Sequence, residues 1–77
     1  NLQHLGGGII QPKPGRAIQD YEVRSYKWYD YTSGPSLEVV AETEVFTAPK
    51  SGIYYVEFTT TKGSQVKTIS DTITIVL

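Results

Sequence analysis

Tyr29, Tyr31 and Tyr55, with Lys27 and Glu57 close to them in the chain, are the residues here best suited to hold a ligand. Exposed aromatic rings serve as stacking platforms for sugars and as anchors for protein partners, with a few polar side chains fixing orientation. In the run Tyr26-Lys27-Trp28-Tyr29-Asp30-Tyr31 a strand alternates its side chains between two faces. If Tyr26 and Trp28 point inward, then Lys27, Tyr29 and Tyr31 point outward. The competing reading is that a neighbouring domain or cross-strand packing covers these rings.

Other chemistry has thinner support. Catalysis needs a nucleophile, a base and a means of orienting them. The single histidine, His4, lies in a glycine-rich leader where little holds it to the precision a base requires. Glu42 and Glu44 stand two apart on a strand pattern, which puts them on one solvated face, without the second acidic cluster that glycosidic chemistry needs. Asp20, Asp30 and Asp71 are isolated acids beside expected turns, unlike the gathered oxygens of a calcium loop. No Lys-Ser or Lys-Thr pair follows Gly6-Gly7-Gly8, so the triplet reads as a linker or bulge rather than a phosphate cradle. The chain has no cysteine, which removes disulfide, thiolate-metal and thiol-nucleophile readings together. The expectation is a non-enzyme with no cofactor and no metal.

What must position the tyrosines is a small domain of 77 residues. A chain of this size buries only about 60% of its unfolded surface, so its stability margin is thin. Six tyrosines, two phenylalanines and one tryptophan supply most of the large side chains for a core built without cross-links. Seven basic against eight acidic residues leave a net charge of −1, too weak a field to attract nucleic acid. Apolar runs are a few residues long, far below the ~20 a membrane helix needs. The absence of methionine points to a processed product or, as expected here, to a piece of a longer protein.

Residues 1–8 read as a flexible leader or linker and 9–77 as the domain. Pro12 and Pro14 suit an edge strand and the turn at Gly15. The run from Ala17 to Tyr31 is rich in β-formers, with Tyr21 and Val23 two apart and Tyr26 and Trp28 two apart but out of phase. A bend or bulge near Arg24-Ser25 reconciles the two pairs. Thr32-Ser33-Gly34-Pro35 makes a turn. The stretch from Ser36 to Ala48 carries two short strand signals; Ala41 and Thr43 share one face and Phe46 sits three further on, which implies a kink before the turn at Pro49. After Gly52, Tyr54, Val56 and Phe58 face one way and Ile53, Tyr55 and Glu57 the other. Thr59 to Gln65 is polar with one glycine and reads as a hairpin turn. The last segment places Ile73, Ile75 and Leu77 on one face. No window carries a helical period. The fold expected is all-β: about six or seven short antiparallel strands in two small sheets packed face to face, with Trp28, Phe46, Tyr54, Val56, Phe58, Ile73 and Ile75 as core.

These residues resemble a known superfold. Tyr26-Lys27-Trp28-Tyr29 is similar to the strand that carries the core tryptophan of an immunoglobulin-like domain. Ala41-x-Thr43-x-x-Phe46-x-x-x-Lys50-Ser51-Gly52-x-Tyr54-x-Val56 is similar to its fifth-to-sixth strand signature. The Tyr-x-Trp and Gly-x-Tyr-x-Val elements also resemble the PKD domains of bacterial surface proteins. The resemblance covers residues 9 to 77. Val56 stands where an immunoglobulin domain carries its second cysteine, and Tyr-Asp-Tyr follows Trp28 in place of the glycine-rich acidic turn of a PKD repeat. The resemblance implies that Tyr54 is a tyrosine-corner residue, with its hydroxyl reaching back to the main chain. It places the strands of Trp28 and Tyr54 side by side, so Tyr55 joins Tyr29 and Tyr31. It also implies a spacer or adhesion module on the bacterial cell surface or in a secreted protein. Neighbouring domains would be its partners, or a protein or polysaccharide ligand. A carbohydrate-binding module using the tyrosine face is the alternative.

Overall fold

A computed structural model of the chain describes residues 2–12 and 20–77. Among them there are six strands and no helix: β1 (Leu2–His4), β2 (Ile9–Pro12), β3 (Glu22–Asp30), β4 (Phe46–Thr47), β5 (Gly52–Lys62) and β6 (Gln65–Ile75). They form two antiparallel three-stranded sheets, ordered β1-β2-β4 and β3-β5-β6. Both sheets supply the core, so the molecule is a small all-β sandwich. Ile10 of β2 and Phe46 of β4 meet Trp28, Tyr54, Val56, Phe58 and Ile75 of the larger sheet. Alternation along β5 sets the division, with Tyr54, Val56, Phe58 and Thr60 buried while the residues between them are not.

Trp28 is the hub. Its ring stacks on Phe46 at 5.2 Å and 19°, joining the two sheets. The indole Nε1 donates to the Thr43 carbonyl at 2.6 Å. The Trp28 main chain exchanges hydrogen bonds of 2.9 and 2.8 Å with Ala41 and Val40. Phe46 in turn packs on Tyr54, whose hydroxyl donates to the Lys50 carbonyl at 2.8 Å. That bond closes the corner leading into β5, which is the contact the resemblance implies for Tyr54. The expected core is buried except Ile73, which packs half-buried against it; Ile10, Ala48 and Thr60 join it unpredicted.

The bend expected near Arg24-Ser25 is a register shift. Val23 pairs with Thr60 and Ser25 with Thr59, leaving Arg24 extra. The added residue restores phase, so Tyr21, Val23 and Tyr26 all pack against the core beside Trp28. Arg24 turns outward to the Thr61 hydroxyl and the Glu22 carboxylate.

Four local expectations change. Leu2–His4, within the presumed leader, pairs with β2 as β1. The glycine triplet is the turn between them, all three with positive φ of 59–94°, a region open to glycine at little cost. The turn after β5 is only Gly63-Ser64, because Thr59 to Lys62 continue the ladder with β6. Threonine is a good strand former, and the polarity that suggests a loop belongs to a strand in which Thr60 alone of Thr59 to Lys62 is buried. The first strand signal of residues 36–48 reduces to one bridge between Trp28 and Ala41. Thr43 bends the chain away by donating its hydroxyl to the Val45 carbonyl, a kink within the stretch before the turn at Pro49. Pro12 ends the central strand of its sheet, not an edge. It is tolerated there because β4 reaches only Ile9 and Ile10. The turn expected at Gly15 lies outside the described residues.

Candidate functional site: the outward tyrosine face

The outer surface of the β3-β5-β6 sheet carries the tyrosines. Tyr29 lies directly opposite Tyr55 and Lys27 opposite Glu57 in the β3–β5 register, while Trp28 and Val56 between them point inward. The ladder runs one step past β3, where the Tyr31 amide donates to the Ile53 carbonyl at 2.8 Å. Tyr31 therefore sits diagonal to Tyr55, the offset at which long side chains on neighbouring strands touch. The structure brings all three predicted residues together.

Their rings pack mainly on one another. Tyr31 and Tyr55 stack in parallel, with centroids 4.6 Å apart and planes 5° apart. Tyr29 tilts against both, at 6.1 Å from Tyr31 and 5.7 Å from Tyr55. Such offset or tilted aromatic pairs contribute about 0.5–1.5 kcal/mol beyond simple area burial. Glu57 ties the polar ends together: its Oε1 accepts from the Tyr29 hydroxyl at 3.4 Å and its Oε2 from the Tyr55 hydroxyl at 3.2 Å. Tyr29 is only 9% exposed, and Tyr31 and Tyr55 are half-buried.

Electrostatics follow from this packing. Burial first, then the Glu57 charge and hydrogen bond, push the Tyr29 phenol above its ordinary value of 10.0. At Tyr55 a Ser70 hydrogen bond favours ionisation, but burial and Glu57 outweigh it and the pKa again rises. Both phenols are thus neutral donors at physiological pH. The face offers aromatic surface and hydroxyl donors, with the Glu57 carboxylate as their acceptor.

The other candidates lie elsewhere. His4 Nε2 accepts from the Gly8 amide at 3.1 Å, pinning the β1–β2 turn. Glu42 and Glu44 are exposed in the irregular segment before β4. Among the described residues no three His, Asp or Glu side chains gather to hold a metal ion. Asp30 works locally: its Oδ1 accepts from the Thr32 hydroxyl at 2.6 Å and the Thr32 amide at 2.9 Å. Those two bonds, the hydroxyl's first, hold its carboxyl below the ordinary 3.8. The Thr32 hydroxyl also accepts from the Ile53 amide, so the turn after β3 is fastened to the start of β5.

Two features escape sequence reasoning. One is the double use of Glu57, which an acid two residues after an outward tyrosine hints at but does not require. The other is a polar groove of about 390 Å3 beside Asp30, Ser36, Glu38 and Lys50. It forms where the chain turns after β3 and returns beside it through the bonds of Val40 and Ala41 to Trp28, and nothing in that loop beyond its turn residues announces it. No family model, no curated protein and no solved structure matches the chain.

Proposed function

We propose that this chain is a non-catalytic structural and interaction module. In this reading it is an immunoglobulin-like or PKD-like sandwich that spaces and docks neighbouring domains of a larger extracellular bacterial protein. The closed corner from Tyr54 to the Lys50 carbonyl, together with the Trp28 bridge between sheets, supports the family resemblance. The observation that carries the functional reading is the way the tyrosines use their ring faces. A sugar platform needs a ring face open to solvent. Here Tyr31 and Tyr55 cover one face of each other, and Tyr29 is nearly buried beneath them. What remains is an amphipathic surface of ring edges, hydroxyls and one outer face of each stacked ring, suited to a protein neighbour.

Carbohydrate binding is the second reading, favoured by the outer ring face that the mutual stack of Tyr31 and Tyr55 leaves to each. Amide chemical shifts separate the two. Addition of the flanking segments of the parent polypeptide is expected to move Tyr29, Tyr31, Tyr55 and Glu57, while a panel of polysaccharides leaves them still. The reverse pattern would replace the docking role with a sugar-binding one.

A further inference from the structure

Among the described residues, the longest uninterrupted edge belongs to β6. It has eleven residues, no proline and no glycine, and among the described residues it pairs with β5 alone. Which of its main-chain groups face outward follows from three contacts. The two-residue loop Gly63-Ser64 makes Lys62 and Gln65 the hydrogen-bonded pair that closes the hairpin, and the pattern then alternates. The Lys67 carbonyl faces β5, where the Thr60 hydroxyl reaches it at 2.7 Å. The Ile53 amide and carbonyl face β3, so Thr74 opposite Ile53 turns its own groups off the sheet. Val66, Thr68, Ser70, Thr72 and Thr74 therefore present their N–H and C=O groups along the open edge. The Thr72 amide accordingly finds the Asp71 carboxylate, at 2.8 Å, in place of a strand. Such a row is a template for another strand.

We propose that β6 is a docking edge for a second copy of this chain, pairing antiparallel with itself about Ile69. This goes beyond the module reading and does not depend on what the tyrosine face holds. Two-fold pairing at that point sets Lys67 opposite Asp71 of the second copy on one side of the axis and Asp71 opposite its Lys67 on the other. Thr68 meets Ser70, Val66 meets Thr72, and Ile69 meets Ile69. The hydrogen-bond pattern agrees independently of the charges: Val66–Thr72 and Thr68–Ser70 become the bonded pairs, and these residues are the ones with outward groups. The Thr72 amide exchanges the Asp71 carboxylate for the Val66 carbonyl of the second copy, and the carboxylate turns to the facing Lys67. The interface is isologous and closes at two copies. It would join the two larger sheets into one of six strands. The opposite edge, β3, is a poorer template. It is bulged at Arg24, and Val40 and Ala41 already occupy the groups of Trp28.

Sedimentation equilibrium on the chain is expected to show a monomer–dimer equilibrium. Ser70→Pro removes an edge donor without touching the β5 ladder and should weaken dimerisation at least tenfold, whereas Ser70→Ala should not. Lys67→Asp should weaken it as well, with Asp71→Lys added to the same chain restoring it. Because the chain has no cysteine, single cysteines map the register. Ile69→Cys should cross-link rapidly under mild oxidation, its Cα about 4.5 Å from its symmetry mate. Thr72→Cys should not, being about 20 Å from its own copy. A monomer throughout the concentration range, a dimer indifferent to Ser70→Pro and to charge reversal, or equal cross-linking at the two positions would each overturn the proposal. Ser70 bonds Tyr55 and Thr72 lies opposite it, so independence from the tyrosine face rests on the Lys67, Ile69 and Asp71 variants, which pair with the inward residues Thr60, Phe58 and Val56.

Discussion

Each phenol held against Glu57 stores a dependence on pH. The folded-state pKa values of Tyr29 and Tyr55 lie above 10.0, mainly through burial at the first and against a Ser70 hydrogen bond at the second. The folded chain therefore holds these protons more tightly than the unfolded one. The resulting stabilisation is complete below the unfolded value and is lost as pH rises through the folded one. Alkaline unfolding should accordingly track phenolate absorbance, and Glu57→Gln should bring both phenols closer to 10.0. Phenols that titrate together at the unperturbed value in the intact fold would show that the cluster is loose in solution. The outward tyrosines are readable from simple alternation, as is the inward direction of Tyr54. Thr60 is not, because its burial depends on a carbonyl supplied by Lys67 across the hairpin. Ala48 is missed for a similar reason: it is buried by a turn it does not belong to, its amide donating to the Gly8 carbonyl at 2.8 Å.

Between strands, the strictest fit is at the start of β5. A methyl group on Gly52 would collide with the Thr32 hydroxyl, which is itself held by Asp30 and by the Ile53 amide. Gly52→Ala is expected to cost about 1–3 kcal/mol, as overpacking does, read as a lower urea midpoint with an unchanged slope. Thr32→Ala in the same chain should remove part of that cost, since the two changes share one clash. Strictly additive losses would mean that the clash is relieved some other way. At this scale the strong patterns transfer well from sequence to structure. β3 with its bulge, β5 as far as Phe58 and β6 from Lys67 follow from period-two alternation. The segment from Ser36 to Val45 does not. Its valines suggest a strand, yet Val39, Val40 and Val45 are 38–47% exposed and Leu37 is 99% exposed. Main-chain bonds to Trp28 and the Thr43 bend decide its path, and neither has a signature in composition. β1 is hidden likewise, because a glycine triplet reads equally as a linker and as a tight turn.

For the molecule as a whole, two sheets of three strands meet through a handful of rings. Trp28 touches the opposite sheet, the segment before β4 and the main chain at Ala41, so its loss removes more than one contact. Trp28→Ala should cost about 3–5 kcal/mol, as large-to-alanine core changes do. Small domains start near the low end of the usual ~5–15 kcal/mol. The expected outcome is a chain largely unfolded at room temperature by circular dichroism; a near-native melting temperature would refute the hub role. The sandwich architecture was legible in the sequence because aromatics spaced for two faces leave few other ways to cover them in a chain without cross-links.

The sole indole of the chain lies fully shielded, stacked on Phe46 from the facing layer. Its emission is consequently a built-in gauge of the gap between layers. Any event that parts them, whether heat, tension along the chain or a mutation at Phe46, wets that one ring and moves its fluorescence to longer wavelength. No dye need be attached.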